Sequence, residues 1–190
     1  MMVNSPNYFM NTNNKLTPMI NIINFEHQKL TIKHWQLKHN ESWCILGRNG
    51  SGKQYINQLL TGALLPEQCQ TLTLPAPEKI GIISFEAQQD IYEYALEEES
   101  PDYVNANEVA TKAKDFLPED RWNDPLINEF GLSHRLDTKY IQLSTGESRK
   151  LLILQKIFSG IELLVCDNPF DSLDAQSCET LSKALARLSL

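Results

Sequence analysis

The segment from Ser42 to Ala63 constrains this chain more than any other. A short, mostly apolar run, Ser42–Leu46 (SWCIL), meets a glycine-rich stretch, Gly47-Arg48-Asn49-Gly50-Ser51-Gly52-Lys53. Beyond it Ile56, Leu59, Leu60 and Ala63 recur at helical spacing before Pro66. The apolar run predicts a strand covered on both faces, and the later spacing predicts a helix from near Gly52. Strand, glycine turn and helix in that order match the pattern G-x-x-x-x-G-K-[ST] through its seventh position. Glycines let the backbone turn its N–H groups toward phosphate oxygens, the helix N-terminus adds positive potential, and Lys53 reaches the outer phosphates. A glycine-rich turn without ligand is the alternative, and it must account for four matched features in the right local context. The eighth position is Gln54, where a Ser or Thr hydroxyl would hold Mg²⁺. An amide oxygen on a longer stem predicts weaker metal positioning with the phosphate contacts intact.

The 190 residues, 42% of them hydrophobic, suffice for one sizeable core, alone or with a small insert. Seventeen Lys+Arg against 24 Asp+Glu leave a net charge of −7, which argues against a phosphate-backbone footprint and so against nucleic acid as a partner. The acidic stretch Tyr92–Asp102 reads as a solvated helix face or loop. Cys44, Cys69, Cys166 and Cys178 form no CxxC pair and no metal-ligand spacing, which fits a reducing cytosol. Residues 1–18 are rich in Asn, lack a signal-type apolar core and read as a disordered arm. The longest apolar runs, Leu151–Leu154 and Leu163–Cys166, fall far short of the roughly twenty residues that cross a bilayer, so any membrane role is peripheral.

Apolar-polar alternation from Met19 to Trp35 predicts half-buried antiparallel strands, and Lys79–Phe85 predicts another strand. The polar, Pro-interrupted stretch from about 90 to 145 reads as a helical subdomain. Thr145–Ser159 reads as an amphipathic helix, Glu162–Asp167 as a buried strand and Ala175–Leu190 as a last helix with Leu181, Leu185 and Leu188 on one stripe. The fold class is therefore α/β.

Two further segments carry chemistry. Ser144-Thr145-Gly146-Glu147 opens a helix, and Ser144 with Glu147 three residues later is by itself a capping box. About twenty residues on, Leu163-Leu164-Val165-Cys166 ends in Asp167, followed by Asn168-Pro169-Phe170-Asp171-Ser172-Leu173-Asp174. A carboxylate at the end of a buried strand can hold Mg²⁺ or its water; it can also be a turn residue.

In this order GRNGSGK, LSTGE and LLVCDNPFDSLD resemble the Walker A, signature and Walker B plus D-loop segments of ATP-binding-cassette (ABC) ATPases, members of the P-loop NTPases. The likeness runs from about Asn21 to the end of the chain. The Thr-Gly-Glu signature and Ser84-Phe85-Glu86-Ala87-Gln88-Gln89 resemble the first cassette of tandem ModF-type proteins associated with molybdate transport.

The resemblance implies ATP and Mg²⁺ as cofactors. It places Gly47, Arg48, Asn49, Gly50, Ser51, Gly52 and Lys53 at the phosphates, Gln54 and Asp167 at the metal, and Ser144, Thr145, Gly146 and Glu147 against a second subunit's ATP. Phe25 stands where the family stacks an aromatic on adenine, though a core aromatic would look the same. Gln88 or Gln89 would be the metal-contacting Q-loop glutamine. The family's catalytic glutamate position holds Asn168, whose amide cannot take up the attacking water's proton. Leu190 comes before the family's switch histidine, so the expectation is a C-terminally truncated cassette, 19–190, with hydrolysis impaired. Two cassettes close head to tail in this family, so a partner cassette is implied, as are membrane subunits at the inner membrane face where the task is transport. The rival readings are a non-hydrolysing association module glued by ATP, and a decaying cassette.

Overall fold

The computed structural model describes residues 18–48, 50–98, 111–171 and 173–188. The expected N-terminal arm, Asn49 of the glycine loop and Ser172 lie outside them. The chain divides into two compact units: one comprises the residues up to Gly81 with Ile161–Val165, and the other Ile82–Gly160 with Cys166–Leu188.

In the first unit, β1 (Ile20–His27) and β2 (Leu30–Leu37) form the expected antiparallel hairpin, with Ile22 opposite Trp35 and Phe25 opposite Ile32. Further along the chain, β3 (Thr71–Thr73) adds to the other edge of β1. Ile20 and Ile22 alternate inward, but Asn24 takes a left-handed conformation, φ 50°, so the alternation slips by one and Phe25 enters the core. Asn tolerates that conformation better than other non-glycine residues. Leu59 and Leu60 of α1 (Lys53–Leu60) cover the same core, with Tyr55 and Ile56 partly buried against it.

Strand β4 (Ile80–Ile83) and strand β5 (Leu163–Cys166) pair with each other. The Glu162 N–H donates to the Lys79 carbonyl at one end, and the Asp167 N–H to the Ile83 carbonyl at the other, both at 2.8 Å. Residue numbers rise together along both strands, so the pair is parallel.

Helix α2 (Phe85–Glu98) opens the second unit, which continues through α3 (Pro125–Glu129), α4 (Thr145–Phe158) and α5 (Ala175–Leu188). Short 3-10 turns at Ala113–Phe116, Glu119–Arg121, Ser133–Arg135 and Tyr140–Gln142 join them. Within the stretch 90–145 read as a helical subdomain, the described residues are helices, helical turns and loops, and residues 99–110 lie outside the described ones. Leu126, Ile127, Phe130, Leu132 and Tyr140 are buried in this unit, as are Leu151–Leu154 and Ile157 of α4.

Two expectations are corrected. Ser42–Leu46 is not a strand: Trp43, Ile45 and Leu46 are exposed, Leu46 at 88%. A strand covered on both faces needs ladder partners on its edges, and neither described sheet includes this segment. Helix α4 is not amphipathic, since Ser148, Arg149 and Lys150 are buried together with Leu151–Leu154. Packing on every side has overridden its polar face.

Because Phe25 is completely buried, Phe25→Ala is expected to cost about 3–5 kcal/mol without any nucleotide present. Urea unfolding checks this through a lower midpoint at unchanged slope; a cost below about 1 kcal/mol would remove Phe25 from the core.

Candidate functional site

The glycine loop lies in the first unit. The Ser51 N–H donates to the Arg48 carbonyl at 3.1 Å and the Tyr55 N–H to the Gly52 carbonyl at 2.9 Å, so the loop runs straight into α1. Gly52 has φ 89°, a conformation that L side chains rarely adopt, and a Cβ there would sit 3.2 Å from the Tyr55 ring. Gly50, φ 76°, has open space where a Cβ would be. A loop of bare backbone with room around it fits phosphate oxygens approaching N–H groups. The Lys53 ammonium turns back on the loop, donating to the Gly47 carbonyl at 2.7 Å and the Arg48 carbonyl at 3.1 Å. Gln54 points to solvent beside it. Phe25, expected against adenine, is sealed in the core, so neither face of its ring is free to stack.

In the second unit, Ser144 caps α4 as its spacing predicts. Its Oγ accepts from the Glu147 N–H at 3.2 Å, and Glu147 Oε2 accepts from the Ser144 N–H at 2.9 Å. Arg135, which the sequence did not flag, donates from Nε to Glu147 Oε1 at 2.7 Å. Burial pushes the Glu147 carboxyl up. The Ser144 N–H and the Arg135 guanidinium outweigh it, so the group lies below the usual range. Gly146 lies close to other side chains: a Cβ would press on Leu173 Cδ2 at 3.0 Å and sit 3.5 Å from Ser177 Oγ.

The two glutamines of α2 separate cleanly. Gln89 is exposed and donates to Glu93, whereas Gln88 is buried. Gln88 Nε2 donates to the Thr145 carbonyl at 2.9 Å and to Ser148 Oγ at 2.6 Å, and its Oε1 accepts from Arg149 Nε at 3.1 Å. Both ends of the amide are thus committed to α4. Arg149 also donates from Nη1 to the carbonyls of Asn168 and Asp171, each at 3.0 Å. Asp167 is half-buried at the end of β5, and Asn168 next to it is exposed with φ 45°. A glutamate in that left-handed position would be strained where asparagine is tolerated. Among the described residues no group of three or more His, Cys, Asp or Glu side chains could hold a metal alone.

Ser148, Arg135 and Arg149 escaped sequence reasoning. The only available signal was polar residues on a helix whose neighbours are apolar.

Comparison with known proteins gives a consistent family. The family model described as ABC transporter matches residues 30–171. The ABC transporter ATP-binding protein ModF of Escherichia coli K12 is 31% identical over 167 residues, covering 84% of this chain and 33% of ModF. The uncharacterized ABC transporter ATP-binding protein YlmA of Bacillus subtilis 168 is 27% identical over 165 residues, 78% of this chain and 60% of YlmA. The chain thus spans between a third and three fifths of these two relatives. Among solved structures, CbiO1 of Clostridium perfringens, part of the ABC transporter complex CbiONQ, shares the fold with a TM-score of 0.63 at 22% identity, over 91% of this chain and 74% of that one.

The Glu147 carboxyl is held below its unfolded value. Its stabilising contribution is therefore complete above about pH 4.5 and is lost as pH falls through the lower folded value. Glu147→Gln is expected to be less stable than wild type by about 1 kcal/mol at pH 7, with the gap closing below about pH 4. Urea melts at several pH values check it; a gap independent of pH would refute the ionised pairing.

Proposed function

From the premise that the chain belongs to the ABC transporter ATP-binding family, we propose that it binds Mg-ATP through Gly47–Lys53 and associates with a second cassette in an ATP-dependent way, with turnover that is slow or nil. The observation that carries this reading is an intact glycine loop running into α1 while an amide, Asn168, follows the strand-end acid Asp167.

The loop N–H groups and Lys53 would hold the phosphates, and Asp167 with Gln54 would hold the metal. Gln88 joins them only by giving up its bonds to Ser148 and Arg149. Bound Mg²⁺ would neutralise charge on the outer phosphates. Ser144–Glu147, on the capped end of α4, would meet nucleotide held by the other cassette. Asn168 can hydrogen-bond a water and cannot take its proton, and loss of a positioned base costs about 10²–10⁴ in rate. Retained binding with weak chemistry suits a subunit in which nucleotide acts mainly as a clamp. A membrane-facing, cytosolic role in transport, including any link to molybdate, follows from the relatives' likeness and belongs to this proposal. No helix among the described residues is long and apolar enough to cross a membrane.

Three proteins test the proposal: wild type, Lys53→Ala, and Gln54→Ser with Asn168→Glu. Wild type is expected to bind ATP, and Lys53→Ala to bind at least about tenfold more weakly through loss of a charge-assisted contact. The double variant should exceed wild-type turnover by about 10², less whatever the left-handed backbone costs a glutamate at 168. Absence of ATP binding by wild type would end the nucleotide reading. Wild-type turnover equal to that of the double variant would end the claim of impaired chemistry.

A further inference from the structure

Arg149 is 1% exposed and is the largest of the fully buried side chains. Every acceptor on its three hydrogen bonds is neutral: the Gln88 amide oxygen and the carbonyls of Asn168 and Asp171. Its Nη2 is buried with no hydrogen-bond partner. The acid nearest to it along α4, Glu147, is committed to Arg135 and to the cap. Burying a guanidinium without an anionic partner is costly. Its charge reaches Cys166, opposing the burial that pushes that thiol up to about 11.

An apolar side chain would fill this space at lower cost, and what it could not do is hold three acceptors from two other segments in one plane. One of those acceptors, the Asn168 carbonyl, belongs to the left-handed residue and also accepts from the Asp171 N–H at 3.1 Å. The rigid fork therefore fixes the turn after Asp167 against α4, and fixes the Gln88 amide at the same time.

We infer that Arg149 is a positioning residue: it locks the turn carrying Asn168 to the helix carrying Ser144–Glu147, so that the two segments engage a partner cassette as one body. The functional part rests on the ATP-dependent association proposed above. The locking part stands on its own.

The test compares wild type with Arg149→Met, which keeps length and removes the donors, and Arg149→Lys, which keeps charge and loses the fork. Hydrogen exchange at the Asp171 amide is measured without nucleotide; ATP affinity and ATP-dependent association are measured separately. Arg149→Met is expected to bind ATP in the absence of Mg²⁺ within about twofold of wild type, because the glycine loop proposed to hold the phosphates makes none of the bonds that Arg149 makes. It should exchange the Asp171 amide at least about tenfold faster and associate at least about tenfold more weakly, the loss expected for hydrogen bonds to a charged group. Arg149→Lys should fall between, recovering part of both. Wild-type exchange in a folded Arg149→Met overturns the proposal. If Arg149→Met shows no cooperative unfolding transition, Arg149→Lys decides, and its behaving as wild type in exchange and association overturns the proposal equally. A wild type that binds no ATP or never associates defeats the association reading, while exchange at Asp171 still decides the role of Arg149.

Discussion

Helix α4 is buried along most of its length, and a helix without a wet face must satisfy its polar groups from inside the protein. That constraint organises the second unit. The N-terminal N–H groups are met by the Ser144–Glu147 cap, and Arg135 anchors that cap from a neighbouring turn. Ser148 and Arg149 engage Gln88 of α2, and Arg149 continues to the turn after β5. Take these contacts away and three elements lose their common reference. The stretch proposed to meet a partner's nucleotide is therefore held by bonds within this unit alone.

Much of the architecture could be read in the sequence because it depends on local chemistry. The hairpin followed from alternation between Met19 and Trp35, α1 from the spacing after Gly52, and the α4 cap from Ser144 and Glu147. Phe25 could not be resolved between core and ligand, because its inward turn depends on a single left-handed residue, Asn24. Ser42–Leu46 was misread because strandedness belongs to a pair of segments, and periodicity within one of them does not report the partner. Arg149 was invisible for a related reason: a charged residue in a helix reads as surface until the neighbours that bury it are known.

The site divides into parts that keep the family's chemistry and parts that change it. Gly47, Gly50, Gly52 and Lys53 keep a backbone that can receive phosphate. In the proposed reading, Gln54 and Asn168 would put amides where a hydroxyl and a carboxylate would polarise metal and water. The left-handed backbone at Asn168 suits asparagine better than it would suit glutamate.

Lys53 bonded to the carbonyls of Gly47 and Arg48 has an energetic consequence. The ammonium already donates two of its three hydrogens to carbonyl oxygens, so a triphosphate bound as proposed would exchange part of one set of oxygen contacts for another. The affinity of the proposed complex would then be set by a difference between two sets of contacts, and small changes in how firmly the loop grips its lysine would tune nucleotide occupancy without altering a single residue that touches phosphate.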